Sequence, residues 1–339
     1  MCQKPTEDDY EAYSLRMTAH LVESSSVASF TVTRLNQATF RLVEDDRHIE
    51  RPMIYVKLYP NCVVVIDTGC NNPRDAELPV TSLREFIETV PIDQNKGAPL
   101  NPDGRLPYVI LITHCHYDHI VLQTGGLESF EGSSYQVYCS KIVLSEIIAN
   151  SRLHHDSLRE SLSLPPMELD LKRVTGVEDE YAVEADGVDL NLQIVHAPGH
   201  SPDHMVVVDL DQRTIFLGDS AYEQSPLFYA YGGDLVLHVQ TLARLEGLLT
   251  SYEKREGARI WTAACGHFSS GLHAVSLLRR TKNFILDVIE GKIPSRSQES
   301  NPYQAGGVLE FFTRMEMAMA CPDHLLQAAR SSSITSSLS

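Results

Sequence analysis

Four candidate metal ligands stand within six residues in the run Thr113-His114-Cys115-His116-Tyr117-Asp118-His119. The preceding stretch, Tyr108-Val-Ile-Leu-Ile-Thr113, is short, apolar and rich in β-branched residues, the mark of a buried strand. The ligands therefore leave a strand end and enter a loop. There a rigid scaffold holds side chains and still exposes them. Imidazole and carboxylate suit zinc, and also manganese or iron.

Three more residues share that placement. His200 follows the turn Pro198-Gly199, Asp219 follows Gly218, and His267 follows Gly266, each at the end of an apolar run. Three terminal ligands on each of two adjacent sites, joined by one bridging carboxylate, suit two cations about 3.5–4 Å apart. Asp67 ends another such run and is a candidate to support the ligands from behind. His154 and His155 read as surface residues, and His204 as a structural hydrogen-bonder.

At 339 residues the chain can bury a large core. Its net charge of −17 opposes binding to phosphate backbones, so the expected partner is a small-molecule substrate. Nucleic acid and membrane are not expected as partners, and association into a homodimer is left open. The seven cysteines include no Cys-x-x-Cys pair, which points to reduced thiols in an intracellular, cytoplasmic protein. No apolar run approaches the roughly 18 residues that a membrane span needs.

The pattern predicts strands at 26–35, 53–59, 62–66, 135–139, 189–195, 205–210, 213–217 and 259–264. It predicts helices at 81–90, 141–150, 234–252, 272–289 and 308–319. Residues 1–25 read as an N-terminal arm and 26–321 as a single domain with a helical insertion at 151–171. Residues 322–339 read as a disordered, Ser-rich tail. A sheet–helix half that occurs twice predicts an α+β fold, two packed sheets with helices outside.

These motifs together resemble the metallo-β-lactamase fold superfamily, over roughly residues 26–290. The resemblance implies an αββα four-layer sandwich with mixed sheets and two Zn2+ per chain, with Fe or Mn as substitutes. It implies His114, His116 and His200 as ligands of one metal, and Asp118, His119 and His267 as ligands of the other. Asp219 would bridge them, and Asp67 would match the supporting aspartate. Asp219-Ser-Ala-Tyr222 is also similar to the N-acyl homoserine lactonase branch, where a tyrosine three positions after the bridge aids the scissile carbonyl. One departure is clear: Ile120–Thr124 precedes Gly125-Gly126, four residues more than the family's usual spacing.

The resemblance implies a zinc hydrolase that opens a small cyclic ester or amide (lactone, lactam or cyclic carbamate) by attack of a hydroxide shared between the metals. Asp118 or Asp219 would carry the proton, and Tyr222 would polarise the carbonyl. Detoxification or secondary metabolism would be the setting. The alternatives are a thioesterase of the glyoxalase II kind and an iron-dependent sulfur dioxygenase.

Overall fold

The computed structural model describes residues 26–120, 130, 132–166, 171–255, 259–300 and 307–332. The N-terminal arm and the Gly125-Gly126 pair lie outside the described residues.

The first sheet holds β1 (Phe30–Arg34), β2 (Thr39–Glu44), β3 (Met53–Leu58), β4 (Val63–Ile66), β5 (Tyr108–Leu111), β6 (Tyr135–Ser140) and β7 (Val174–Val177), side by side in chain order. It is antiparallel from β1 to β4 and parallel from β4 to β7. The second sheet contains β8 (Tyr181–Ala185), β9 (Val188–His196), β10 (Met205–Asp209), β11 (Thr214–Gly218), β13 (Thr262–Cys265) and β14 (Ser270–His273). Its spatial order is β14-β13-β11-β10-β9-β8, and only β11 and β13 run parallel. Two helices, α2 (Leu235–Arg255) and α3 (Ala274–Ile289), cover its outer face, and α1 (Leu83–Thr89) covers that of the first sheet.

Strand sequence explains the layering. In β10, Val206 and Val208 turn to the helices, while Met205 and Val207 turn to the other sheet. In β4, Val63 and Val65 face α1, and Val64 and Ile66 face the sheet interface. Strands buried on both faces need continuous apolar runs, which is why Val63–Ile66 carries no polar position. Burying such a side chain contributes roughly 1.5–3 kcal/mol. Two of the strands that end at candidate ligands, β5 and β11, are likewise buried along their whole length.

One ion pair breaks the apolar interface. Lys57 Nζ lies 2.6 Å from Asp209 Oδ2, both buried. This pair sits at the end of β3 and β10 remote from the ligands. At the near end, Met53 N–H donates to Gly266 O and Met205 N–H to Thr113 O.

The αββα sandwich is as expected, and a third sheet joins it. It holds β12 (Pro226–Phe228), β15 (Ser297–Ser300), β16 (Val308–Arg314) and β17 (Met317–Pro322), in the order β12-β17-β16-β15. The expected helix at 308–319 is thus wrong. The segment is a hairpin, with Arg314 opposite Met317 and Met315 at φ 54° in the turn. The disordered tail expected at 322–339 is corrected over its described part, and 333–339 lie outside the described residues. Asp323–Ser331 forms α4, which buries Leu326 and Ala329. The helix expected from Leu272 begins after β14, at Ala274, and Val143–Ile148 is a π-helical segment within the expected 141–150 helix. The strand expected at 26–35 is limited to β1, and β2 was not expected.

Candidate metal centre

The seven candidate ligands converge. His114, His116 and His200 form one group, Asp118, His119 and His267 a second, and His114, His119 and Asp219 a third that links them. All seven are buried. They come from the ends of β5, β9, β11 and β13, so one rim of the sandwich carries the whole set.

Local backbone makes this geometry attainable. Gly199 has φ +141°, and a Cβ there would lie 2.4 Å from His238 Cα. Only glycine lets the turn pass so close to α2 and still aim His200 at the rim. Gly266 is needed for a different reason: its Cβ would lie 2.2 Å from Asp219 Oδ1 and 2.8 Å from His119 Cε1.

Ring nitrogens face one another in the first group. His116 Nδ1 lies 3.0 Å from His114 Nε2 and 3.1 Å from His200 Nε2. In the second, His267 Nε2 lies 3.1 Å from Asp118 Oδ2 and 3.3 Å from His119 Nε2. Asp219 spans both: Oδ2 is 3.8 Å from His200 Nε2 and 3.5 Å from His267 Nε2, and Oδ1 is 3.4 Å from His119 Nε2. Nitrogens bound to one tetrahedral zinc at about 2.0–2.1 Å would stand roughly 3.3 Å apart, close to these separations. Asp219 Oδ1 is buried with no hydrogen-bond partner, which a cation would remedy. The donor set therefore fits a pair of divalent cations.

The ring orientations are set from behind. Asp67 Oδ2 is 2.8 Å from His119 Nδ1, and the same carboxylate accepts from Thr113 N–H at 2.7 Å and Thr113 Oγ1 at 2.9 Å. Glu50 O is 2.8 Å from His267 Nδ1. Each contact fixes one ring nitrogen and leaves Nε2 free to ligate. His204 stands in none of the three groups, and its Nε2 accepts from Asp219 N–H at 3.1 Å, which helps to orient that residue. Asp203 accepts from Cys115 N–H at 2.8 Å and pins the ligand loop from below.

Electrostatics divide the two groups. Burial, reinforced by neighbouring imidazoles, holds His114 well below its ordinary value, and burial also lowers His116 and His200. Both effects favour the neutral ring, the form with a lone pair to give. Burial opposes the charge of His119 and His267 too, but Asp118 and Asp219 outweigh it and hold both well above the ordinary value. The carboxylate-rich side thus attracts positive charge, which in the loaded protein a cation would supply.

A cavity of about 220 Å³ opens over the cluster. Its polar side includes Glu50, Tyr117, Asp118, Asp219 and Tyr222, and its apolar side Leu158, Pro226, Phe228, Phe268 and Phe311. The insertion supplies Leu158, and Tyr117 N–H donates to Ser157 O at 2.9 Å, which ties that segment to the ligand loop. His155 packs on Tyr231 with ring centroids 3.8 Å apart, and neither it nor His154 joins a ligand group. Tyr222 is buried on the cavity wall, and its Oη donates to Pro226 O at 3.1 Å.

Two contributors were missed in the sequence. Glu50 lines the cavity; burial and the nearby Asp118 carboxylate push it up to about 7. His238 sits on α2 at the core of the site's support: its Nε2 donates to Ser220 O at 2.9 Å, and its Nδ1 accepts from Tyr229 Oη at 2.6 Å. Neither stands in a ligand-type motif. His238 does lie on the apolar stripe of α2, one residue before Val239, and a histidine there is a weak signal for a buried polar contact.

A family model described as Metallo-beta-lactamase superfamily matches residues 52–267. The chain belongs to that superfamily, whose members are generally hydrolases. It is 78% identical over 337 residues, 99% of each chain, to the Aspergillus versicolor protein named "Putative transcription factor avaE". It is 25% identical over 227 residues, 66% of this chain and 74% of the other, to the human acyl-coenzyme A thioesterase MBLAC2. The solved metallo-beta-lactamase from Pontibacter korlensis superposes with a TM-score of 0.50 at 20% identity, covering 76% of this chain and 98% of that one. No helix among the described residues is long and apolar enough to cross a membrane.

The packing around Gly266 yields a first expected result. Gly266→Ala should force Asp219 and His119 out of register and lower metal content and hydrolysis together, activity by about 10²-fold. Gly247 on α2 has open space where a Cβ would go, so Gly247→Ala serves as the control and should leave both unchanged. Metal analysis of the two purified variants checks this, and an unaltered Gly266→Ala protein would refute it.

Proposed function

We propose that the chain is a dinuclear metallohydrolase, zinc-dependent, that opens a small cyclic ester or amide. The observation that carries this reading is the convergence of seven buried ligand-type side chains beneath a cavity of about 220 Å³. His114, His116 and His200 would hold one cation, Asp118, His119 and His267 the other, and Asp219 both. When bound, the cations would supply Lewis acidity and an ionised water at neutral pH.

The chain's own residues supply the rest. Water adds hydroxide to the carbonyl carbon, the ring C–O or C–N bond breaks, and the leaving atom takes up a proton. Asp219 faces the cavity, and so does Asp118, which could likewise pass that proton on. Burial alone would raise its carboxyl, but His119 and His267 hold it below the ordinary carboxylate value. As a carboxylate it would collect the proton before giving it up. Tyr222 Oη can donate to the developing oxyanion by exchanging Pro226 O for substrate, an interaction of a few kcal/mol.

Tyr222→Phe is expected to slow turnover about 10- to 10²-fold with metal content intact. Loss of metal in that variant would mark the tyrosine as structural. The deciding experiment measures metal per chain and acid release in a pH-stat, over lactones, lactams and an acyl thioester. A second reading, thioester hydrolysis, is favoured by the likeness to the human thioesterase, and the same panel separates the two. Nucleic acid is not part of the proposal, since the net charge of −17 opposes it. The localisation that goes with this reading is cytoplasmic.

A further inference from the structure

Two half-buried phenylalanines, Phe268 and Phe311, line the cavity and join none of the apolar clusters that the described residues form. A large ring ordinarily contributes by packing into a core. These two face the space over the candidate ligands instead.

Phe268 is held there against its own backbone. It has φ 51°, and Ser269 N–H donates to His267 O across it at 2.5 Å. A three-residue turn of that hand is rare and strained, and glycine would adopt it freely. Such strain persists only where the surroundings over-determine it. Here Cys265 N–H donates to Ser269 O at 3.1 Å, and Glu223 N–H donates to Ser269 Oγ at 3.0 Å. The Glu223 carboxylate is itself paired with Arg280 of α3. The turn is thus latched from two sides, and what it presents is one aromatic ring beside the cluster.

Phe311 comes from the third sheet. Alternation along β16 sends Phe312 into the core and Phe311 to the cavity. Phe311 stands opposite Ala320 of β17, which lines the same wall, so a small residue leaves room beside the ring.

On the reading of the site as a hydrolase, we infer that Phe268 and Phe311 form a subsite for an apolar group of the substrate, an aromatic ring above all, carried next to the scissile carbonyl. The strained turn exists to place Phe268 in that subsite. Its ring serves the substrate and not the fold.

Two matched pairs of probes test this with metal-loaded, full-length protein. Binding of 3-phenylpropanoate against propanoate is read by ligand-observed NMR, and turnover of γ-phenyl-γ-butyrolactone against γ-butyrolactone in a pH-stat. The wild type should favour the phenyl member of each pair by about tenfold or more, mostly in Kd and KM. Phe268→Gly and Phe311→Ala should each bring both ratios towards one with metal content unchanged. Phe268→Gly should also melt within about 3 °C of the wild type, because relief of the turn offsets the lost contacts. Equal binding of the two acids by the wild type, or a ratio that neither variant lowers, overturns the inference. So does a Phe268→Gly protein that melts far lower or loses metal, since the ring would then be a structural prop. The binding preference without turnover of either lactone would sink the cyclic-ester reading and leave the subsite standing.

Discussion

Asp219→Ala is expected to yield a folded protein with less bound metal and hydrolysis slower by about 10²-fold or more. Asp219 is the carboxylate of the linking group and reaches both ligand groups, with separations of 3.4–3.8 Å to His119, His200 and His267. Without it, three neutral imidazoles remain on one side and a single carboxylate with two imidazoles on the other. Its backbone N–H still reaches His204, so the strand end should keep its path. Elemental analysis of the purified variant with pH-stat rates decides the point. Full metal and full activity would end the bridging assignment.

Lys57→Met should have the largest effect on stability, a loss of about 3–5 kcal/mol in chemical denaturation. Lys57 and Asp209 are 2.6 Å apart, 3% and 0% exposed, between the sheets. Removing the lysine strands a buried carboxylate whose remaining partners are the N–H groups of Asp211 and Gln212. The double variant Lys57→Met, Asp209→Leu should recover most of the loss, since neither charge is then left alone. The pair lies at the end of the sandwich remote from the ligands, so metal content of the folded fraction should not change. A single variant as stable as the wild type would show that water or a local shift already solvates the aspartate.

The residues that converge in the candidate site were legible because each stands in a short, local signal. An apolar run fixes the strand, and a glycine or a ligand-type side chain marks its end, as at Gly218-Asp219 and Gly266-His267. The αββα layering followed from the same runs. The C-terminal hairpin was not legible, for two reasons. Every residue of β17 is buried, so Met317–Pro322 shows no alternation, and its Met and Ala residues favour a helix reading. The turn before it places Met315 at positive φ, where the usual glycine or asparagine would have announced a hairpin. Glu50 escaped for another reason. It stands in Arg47-His-Ile-Glu-Arg51, a run that reads as a solvated loop, and its setting comes from Tyr117, Asp118 and His267, far away in the chain.

The third sheet has a consequence for how this protein can diverge from its relatives. Phe311 and Ala320 line the cavity, yet both lie beyond the stretch, 52–267, that the superfamily shares. The reactive floor and part of the enclosing rampart are therefore inherited through separate portions of the polypeptide. Substitutions in the late hairpin can refashion what the chamber admits while the cluster of histidines and aspartates beneath it stays untouched.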